Sequence, residues 1–93
     1  MYLRILRRMR DKVRRRQYVV TFHAWKEMGE DEFTVYDVEC GLLAGEILER
    51  QRDRVTGEAK YRVRGKALDG APIEILVKIG PTGKLVIITV YGP

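Results

Sequence analysis

The chain has one cysteine, one histidine and one tryptophan in 93 residues, and the first two scarcities each close a class of function. A lone Cys40 permits no intrachain disulfide, which suits a reducing compartment. One His and one Cys cannot supply the closely spaced ligands of a zinc site, so no metal is expected. A mechanism using a pair of histidines is excluded for the same reason. Gly80-Pro81-Thr82-Gly83 lacks the Lys and the following helix of a phosphate-cradling loop, so no nucleotide cofactor is implied. Cys40 falls in a predicted helix far in sequence from His23, and no nucleophile–base pair can be nominated. No apolar run approaches the roughly 20 residues that cross a bilayer, and the Arg-rich start lacks the apolar segment of a secretory signal. A soluble cytoplasmic protein with no membrane partner is expected.

The net charge of +5 is unevenly placed. Residues 1–16 hold seven Arg and one Lys against Asp11, a balance of +7, whereas the remaining residues hold ten basic and twelve acidic side chains, a balance of −2. The basic character therefore belongs to the N-terminal segment, which is suited to meet phosphates or an acidic partner. Tyr2, Leu6, Met9 and Val13 recur there at helical spacing, with Arg7, Arg14 and Arg15 on the other sides, which predicts a basic amphipathic helix. Its apolar stripe is narrow and has no Trp or Phe, as expected of an arm packed on the body rather than a membrane-surface helix. Met9 offers an alternative start, and removing the first nine residues is expected to leave the sheet folded.

Residues 17–93 read as one domain, since a chain of this length supports a single core. Gln17 to Phe22, with Tyr18, Val19, Val20, Thr21 and Phe22, suits a strand. Ala24, Trp25 and Met28 then follow helical spacing and are read as core. Thr34 with Asp37 resembles a capping box for a second helix whose one face is Val35, Val38 and Leu42 and which ends at Gly45. Four strands complete the chain. In Tyr61 to Ala67 the apolar residues alternate with Arg62, Arg64 and Lys66, a period of two that marks a half-buried strand. Ile73, Ile75, Val77 and Ile79 predict one core side of the next strand, and Val86, Ile88 and Val90 that of the last.

Hairpin registers follow from requiring pattern and turn length to agree. A three-residue Asp69-Gly70-Ala71 loop pairs Tyr61 with Ile79, Val63 with Val77 and Lys66 with Glu74. A four-residue loop at residues 80–83 sets Val77 beside Val86, Ile75 beside Ile88 and Glu74 opposite Thr89. A two-residue Thr56-Gly57 turn pairs Glu49 with Arg64, Gln51 with Arg62 and Asp53 with Lys60, avoiding Arg–Arg pairs. The polar face then carries Arg62, Arg64, Lys66, Lys78, Thr89 and Tyr91, partly neutralised by its neighbours.

The expected architecture is α+β: a basic N-terminal helix, then strand-helix-helix and a four-strand antiparallel meander with the helices on one face. That plan resembles the small bacterial ribonuclease toxins of RelE and MqsR type. His23-Ala24, Gly45-Glu46-Ile47-Leu48-Glu49, Tyr61-Arg62-Val63-Arg64-Gly65, Asp69-Gly70 and Thr89-Val90-Tyr91, in that order, more closely resemble a family of small bacterial domains of unknown function. The likeness covers residues 20–93. The family's usual basic or polar residue before the His is Phe22 here. The resemblance implies a toxin-like component, paired with an antitoxin protein of zinc-finger type.

Metal-independent RNA cleavage needs a base for the 2′-hydroxyl proton, cations for the phosphorane and an acid for the leaving oxygen. His23 is the candidate base or acid, since an unperturbed imidazole titrates at about 6.5. Arg62 and Arg64 can grip a phosphate with planar donor forks, Tyr91 or Lys78 can donate a proton, and Lys66, Thr89, Arg7, Arg14 and Arg15 are candidate RNA contacts. Against these stand plainer readings. His23 can cap a helix start, Thr89 and Tyr91 are favoured by strand propensity alone, and the acidic 30–32 stretch is a solvated turn. A non-catalytic protein-interaction module is the alternative to an RNA-binding toxin.

Overall fold

The computed structural model describes residues 2–93. Its elements run α1 (Leu3–Arg14), β1 (Tyr18–Val20), α2 (Phe22–Glu30), α3 (Val35–Ala44), β2 (Glu46–Arg52), β3 (Ala59–Lys66), β4 (Pro72–Ile79) and β5 (Leu85–Tyr91). The strands form one sheet in the order β1-β5-β4-β3-β2. β2 to β5 are the expected antiparallel meander, and β1 adds parallel to β5 at the edge. The α+β plan with three helices on one face holds. Among the described residues no helix is long and apolar enough to cross a membrane.

α2 and α3 start where side-chain caps direct, whereas Tyr2 precedes α1 without a side-chain cap. Thr21 caps α2, its Oγ1 accepting from the Ala24 amide at 3.1 Å, so Phe22 belongs to the helix rather than to the preceding strand. Thr34 and Asp37 form the capping box of α3. The Asp37 carboxylate also accepts from the Leu68 amide at 3.0 Å, tying that helix to the β3–β4 loop. α1 buries Met9 and Val13, α2 buries Ala24 and Met28, and α3 buries Val38 and Leu42, all against the inner face of the sheet. Trp25 corrects the sequence reading: it is 56% exposed. Ala24 and Met28 sit four apart on the buried side, and Trp25 lies about 100° round the helix from Ala24.

The three hairpin registers differ from expectation, each for a reason in its turn. In β3–β4, Ala67 pairs with Ala71 around Leu68-Asp69-Gly70, because such loops end on a left-handed residue and Gly70, at φ 86°, takes that place. The register moves by two residues, so inner and outer faces are kept but Glu74 meets Arg64 and Lys66 meets Pro72. β4–β5 turns in the same way through Pro81-Thr82-Gly83, with Gly83 at φ 86°. Here the slip is one residue, so Leu85 and Ile87 are buried in place of Val86 and Ile88. A bulge between Leu76 and Val77 pairings restores Val90 to the core and sets Glu74 opposite Tyr91 and Leu76 opposite Thr89. In β2–β3, the Asp53 carboxylate accepts from the Val55 and Thr56 amides at 2.8 and 3.0 Å, which widens the turn. Glu49 therefore pairs with Arg62, and Gln51 with Lys60.

Candidate functional site

Among the described residues the outer face of the sheet carries no helix, and at its centre three strands bring one row of side chains into line. Arg64 on β3, Glu74 on β4 and Tyr91 on β5 are direct cross-strand partners. Glu74 is only 2% exposed, and a carboxylate so placed needs donors. Arg62 Nη1 donates to Oε1 at 2.8 Å, Arg64 Nε donates to Oε2 at 3.0 Å with a second contact through its Nη2, and the Tyr91 hydroxyl donates to Oε1 at 2.8 Å. Arg62 Nε also donates to Glu49 at 2.9 Å.

These contacts set the electrostatics. Arg62 first, then Arg64 and Tyr91, hold the Glu74 carboxyl down from 4.5 to about 2 against the opposing effect of burial. Tyr91 is pushed up, chiefly because its hydroxyl donates to that anion. Two guanidinium groups face two carboxylates, Glu49 and Glu74, so the cluster is close to neutral. Arg62 Nη2 and Arg64 Nη1 make no hydrogen bond among the described residues, and Arg64 keeps half its side chain exposed. Those two nitrogens are the donors left for an incoming anion.

Of the residues nominated from sequence, Arg62, Arg64 and Tyr91 are thus brought together. Lys66 joins Arg64 on a shallow cavity of about 400 Å³ whose other lining includes Gly45, Glu46 and Pro72. Thr89 and Lys78 lie on the outer face, with Lys78 held 3.2 Å from Glu58. His23 is elsewhere. It sits in the first turn of α2, 68% exposed at its side chain, with Nε2 3.3 Å from Glu27 Oε1. The same oxygen accepts from the Val90 amide at 3.1 Å, so Glu27 caps the edge of β5 where β1 stops. No contact joins His23 to Arg64 or Tyr91. Arg7 and Arg14 are exposed on α1, and Arg15 pairs with Asp11 at 3.2 Å.

Glu74 is the residue that sequence reasoning missed as a site member. The available signal was glycine position: placing Gly70 third in its loop puts Glu74 opposite Arg64. Among the described residues no group of three or more His, Cys, Asp or Glu converges to hold a metal.

The row falls inside a recognisable stretch, since residues 20–92 match the model of a domain of unknown function, DUF4258. The chain belongs to the DUF4258 family. No curated protein and no solved structure matches it significantly. The family match begins after α1, yet in this DUF4258 chain α1 fills the core with Met9 and Val13. It also reaches the end of α3, where Arg10 Nη2 donates to the Gly45 carbonyl at 2.9 Å.

Proposed function

We propose that the domain is a toxin-like RNA-binding protein that cleaves RNA without a metal and is held inactive by an antitoxin protein. The observation that carries this reading is the Arg64–Glu74–Tyr91 row on an uncovered sheet face, with Arg62 beside it. Arg62 Nη2 and Arg64 Nη1 bind the scissile phosphate. Its charge raises the proton affinity of Glu74, and Arg64, the more exposed of the two arginines, swings to admit the ribose. The 2′-oxygen attacks phosphorus and its proton passes to Glu74. The bond to the 5′-oxygen breaks, that oxygen takes the Tyr91 proton, and Glu74 returns a proton to Tyr91 across their 2.8 Å contact. The products are a 2′,3′-cyclic phosphate and a 5′-hydroxyl. Arg7, Arg14 and Arg15 add sequence-independent phosphate contacts, and His23 with Glu27 is the competing base.

The test is RNA incubated in chelator with the parent and four variants. Glu74→Gln, Arg64→Ala and Tyr91→Phe should each lower cleavage by about 10²-fold or more, whereas His23→Ala should cleave like the parent. The reverse pattern would move the base to His23. A parent that cleaves no RNA leaves the protein-interaction module, a reading favoured by the charge balance of Arg62 and Arg64 against Glu49 and Glu74.

A further inference from the structure

β1 leaves one side unpaired, and the groups around it define a partner. Leu85 N donates to the Gln17 carbonyl at 3.0 Å and Thr21 N donates to the Ile87 carbonyl at 3.1 Å. In a parallel ladder alternate residues face the same neighbour, so residues 17, 19 and 21 bond to β5. The amides and carbonyls of Tyr18 and Val20 point away from the sheet. β1 is its terminal strand, and these groups are a template for another extended chain. No Pro, bulge or covering element blunts the edge among the described residues.

The side chains flanking this edge are of two kinds. Arg14, Arg15 and Arg16 are exposed immediately before β1, and only Arg15 has an acidic partner. Within β1 Val19 is 42% exposed, and just after it the exposed surface turns aromatic, with Phe22 83% and Trp25 56% exposed. Phe22 and Trp25 are three apart on one side of α2. A basic cluster and an aromatic cluster at the two ends of an open strand fit an extended peptide with acidic residues towards one end and apolar residues towards the other. Two copies of this chain, each at +5, repel on approach.

We propose that the β1 edge takes an acidic, apolar segment of a protein partner as a sixth strand, anchored by Arg14–Arg16 and by Phe22 and Trp25. This surface is separate from the Glu74 row and shares with the RNA reading only the phosphate contacts of Arg14 and Arg15, so strand addition at the Tyr18 and Val20 amides stands or falls independently of cleavage. The probe is an acetylated, amidated Glu-Glu-Glu-Val-Val-Val peptide titrated into the full chain. Trp25, the single tryptophan, reports binding by fluorescence, and amide exchange reports strand addition. Saturable binding should shift Trp25 emission to the blue and slow exchange at the Tyr18 and Val20 amides.

N-methylating alternate peptide amides on the bonding edge should weaken binding about tenfold or more. Val20→Pro, which removes an N–H that β5 does not use, should do the same. Arg14→Glu with Arg16→Glu should reverse the preference towards a Lys-Lys-Lys-Val-Val-Val peptide. Binding that survives N-methylation, or no saturable binding at millimolar peptide, overturns the proposal. So does the same amide protection by oligouridine, which makes the surface a base-stacking platform. A dimer in sedimentation that Val20→Pro abolishes would give the edge to a second copy.

Discussion

A Cβ on Gly65 would stand 2.4 Å from the Gly41 carbonyl oxygen and 2.8 Å from its Cα, so α3 and β3 touch backbone to backbone. Nothing but hydrogen fits between them. Gly65→Ala should cost about 3 kcal/mol or more, because neither backbone can give way without moving its element. Gly29→Ala is the control: nothing lies within 4 Å of that position in α2, and the change should be neutral or add up to about 1 kcal/mol. Urea unfolding of the two variants against the parent is the measurement.

Glu74 gives a pH dependence whose sign is set by its lowered carboxyl. A folded-state value of about 2 against an ordinary 4.5 stabilises the fold above about pH 4.5, and that contribution is lost as pH falls towards 2. Glu74→Gln should lose about 1–3 kcal/mol at neutral pH, discounted from a fully buried pair because Arg64 is half exposed. It should also have a flatter stability profile across that acid window. Parallel profiles for Glu74→Gln and the parent would show that the row contributes nothing to folding.

Neighbours on β4 should behave oppositely. Val77 is fully buried, and Val77→Asp should unfold or badly destabilise the domain, since an unpaired carboxylate there costs several kcal/mol, on the order of 4. Lys78→Asp loses only a partly exposed pair with Glu58 and should be tolerated. Equal stability of the two variants would contradict the burial of alternate β4 residues.

The N-terminal helix separates charge from packing. Met9 is wholly buried, so deleting the first nine residues should destabilise the sheet by about 2–5 kcal/mol, the cost of a large-to-small change at a core Met. That differs from an arm that can be removed at will. Replacing Arg4, Arg7 and Arg8 by Gln instead should leave the unfolding midpoint unchanged. If α1 meets RNA, the triple variant should also flatten the salt dependence of binding, by about 0.7 in slope for each single-strand phosphate that the arginines no longer neutralise. An unchanged slope would assign α1 to packing or to a protein partner.

Local chemistry made much of this fold legible. Thr34 and Asp37 announced a helix start, Gly45 its end, and the alternation of Arg62, Val63 and Arg64 a strand with one polar face. These signals act over a few residues, where hydrogen bonding and side-chain spacing decide the outcome. The two-residue shifts in β2–β3 and β3–β4 escaped because an even shift preserves which side chains face inward, so hydrophobic pattern cannot detect it. Only the left-handed place of Gly70 and the turn built by the Asp53 carboxylate select the pairing. The β3–β4 shift turned Glu74 from a partner of Lys66 into a partner of Arg64, and the β2–β3 shift set Glu49 opposite Arg62 beside it. The parallel pairing of β1 with β5 joins residues 18–20 to 85–87, and no local pattern encodes so distant a neighbour. The sequence by itself determined the elements and the inner faces of β3 and β4, which depend on short-range chemistry, whereas the inner face of β5 waited on a one-residue slip set by its turn. The tertiary structure alone decided that Arg62, Arg64 and Tyr91 converge on one buried carboxylate while His23 stands apart with Glu27, because convergence depends on strand order and register across the whole chain.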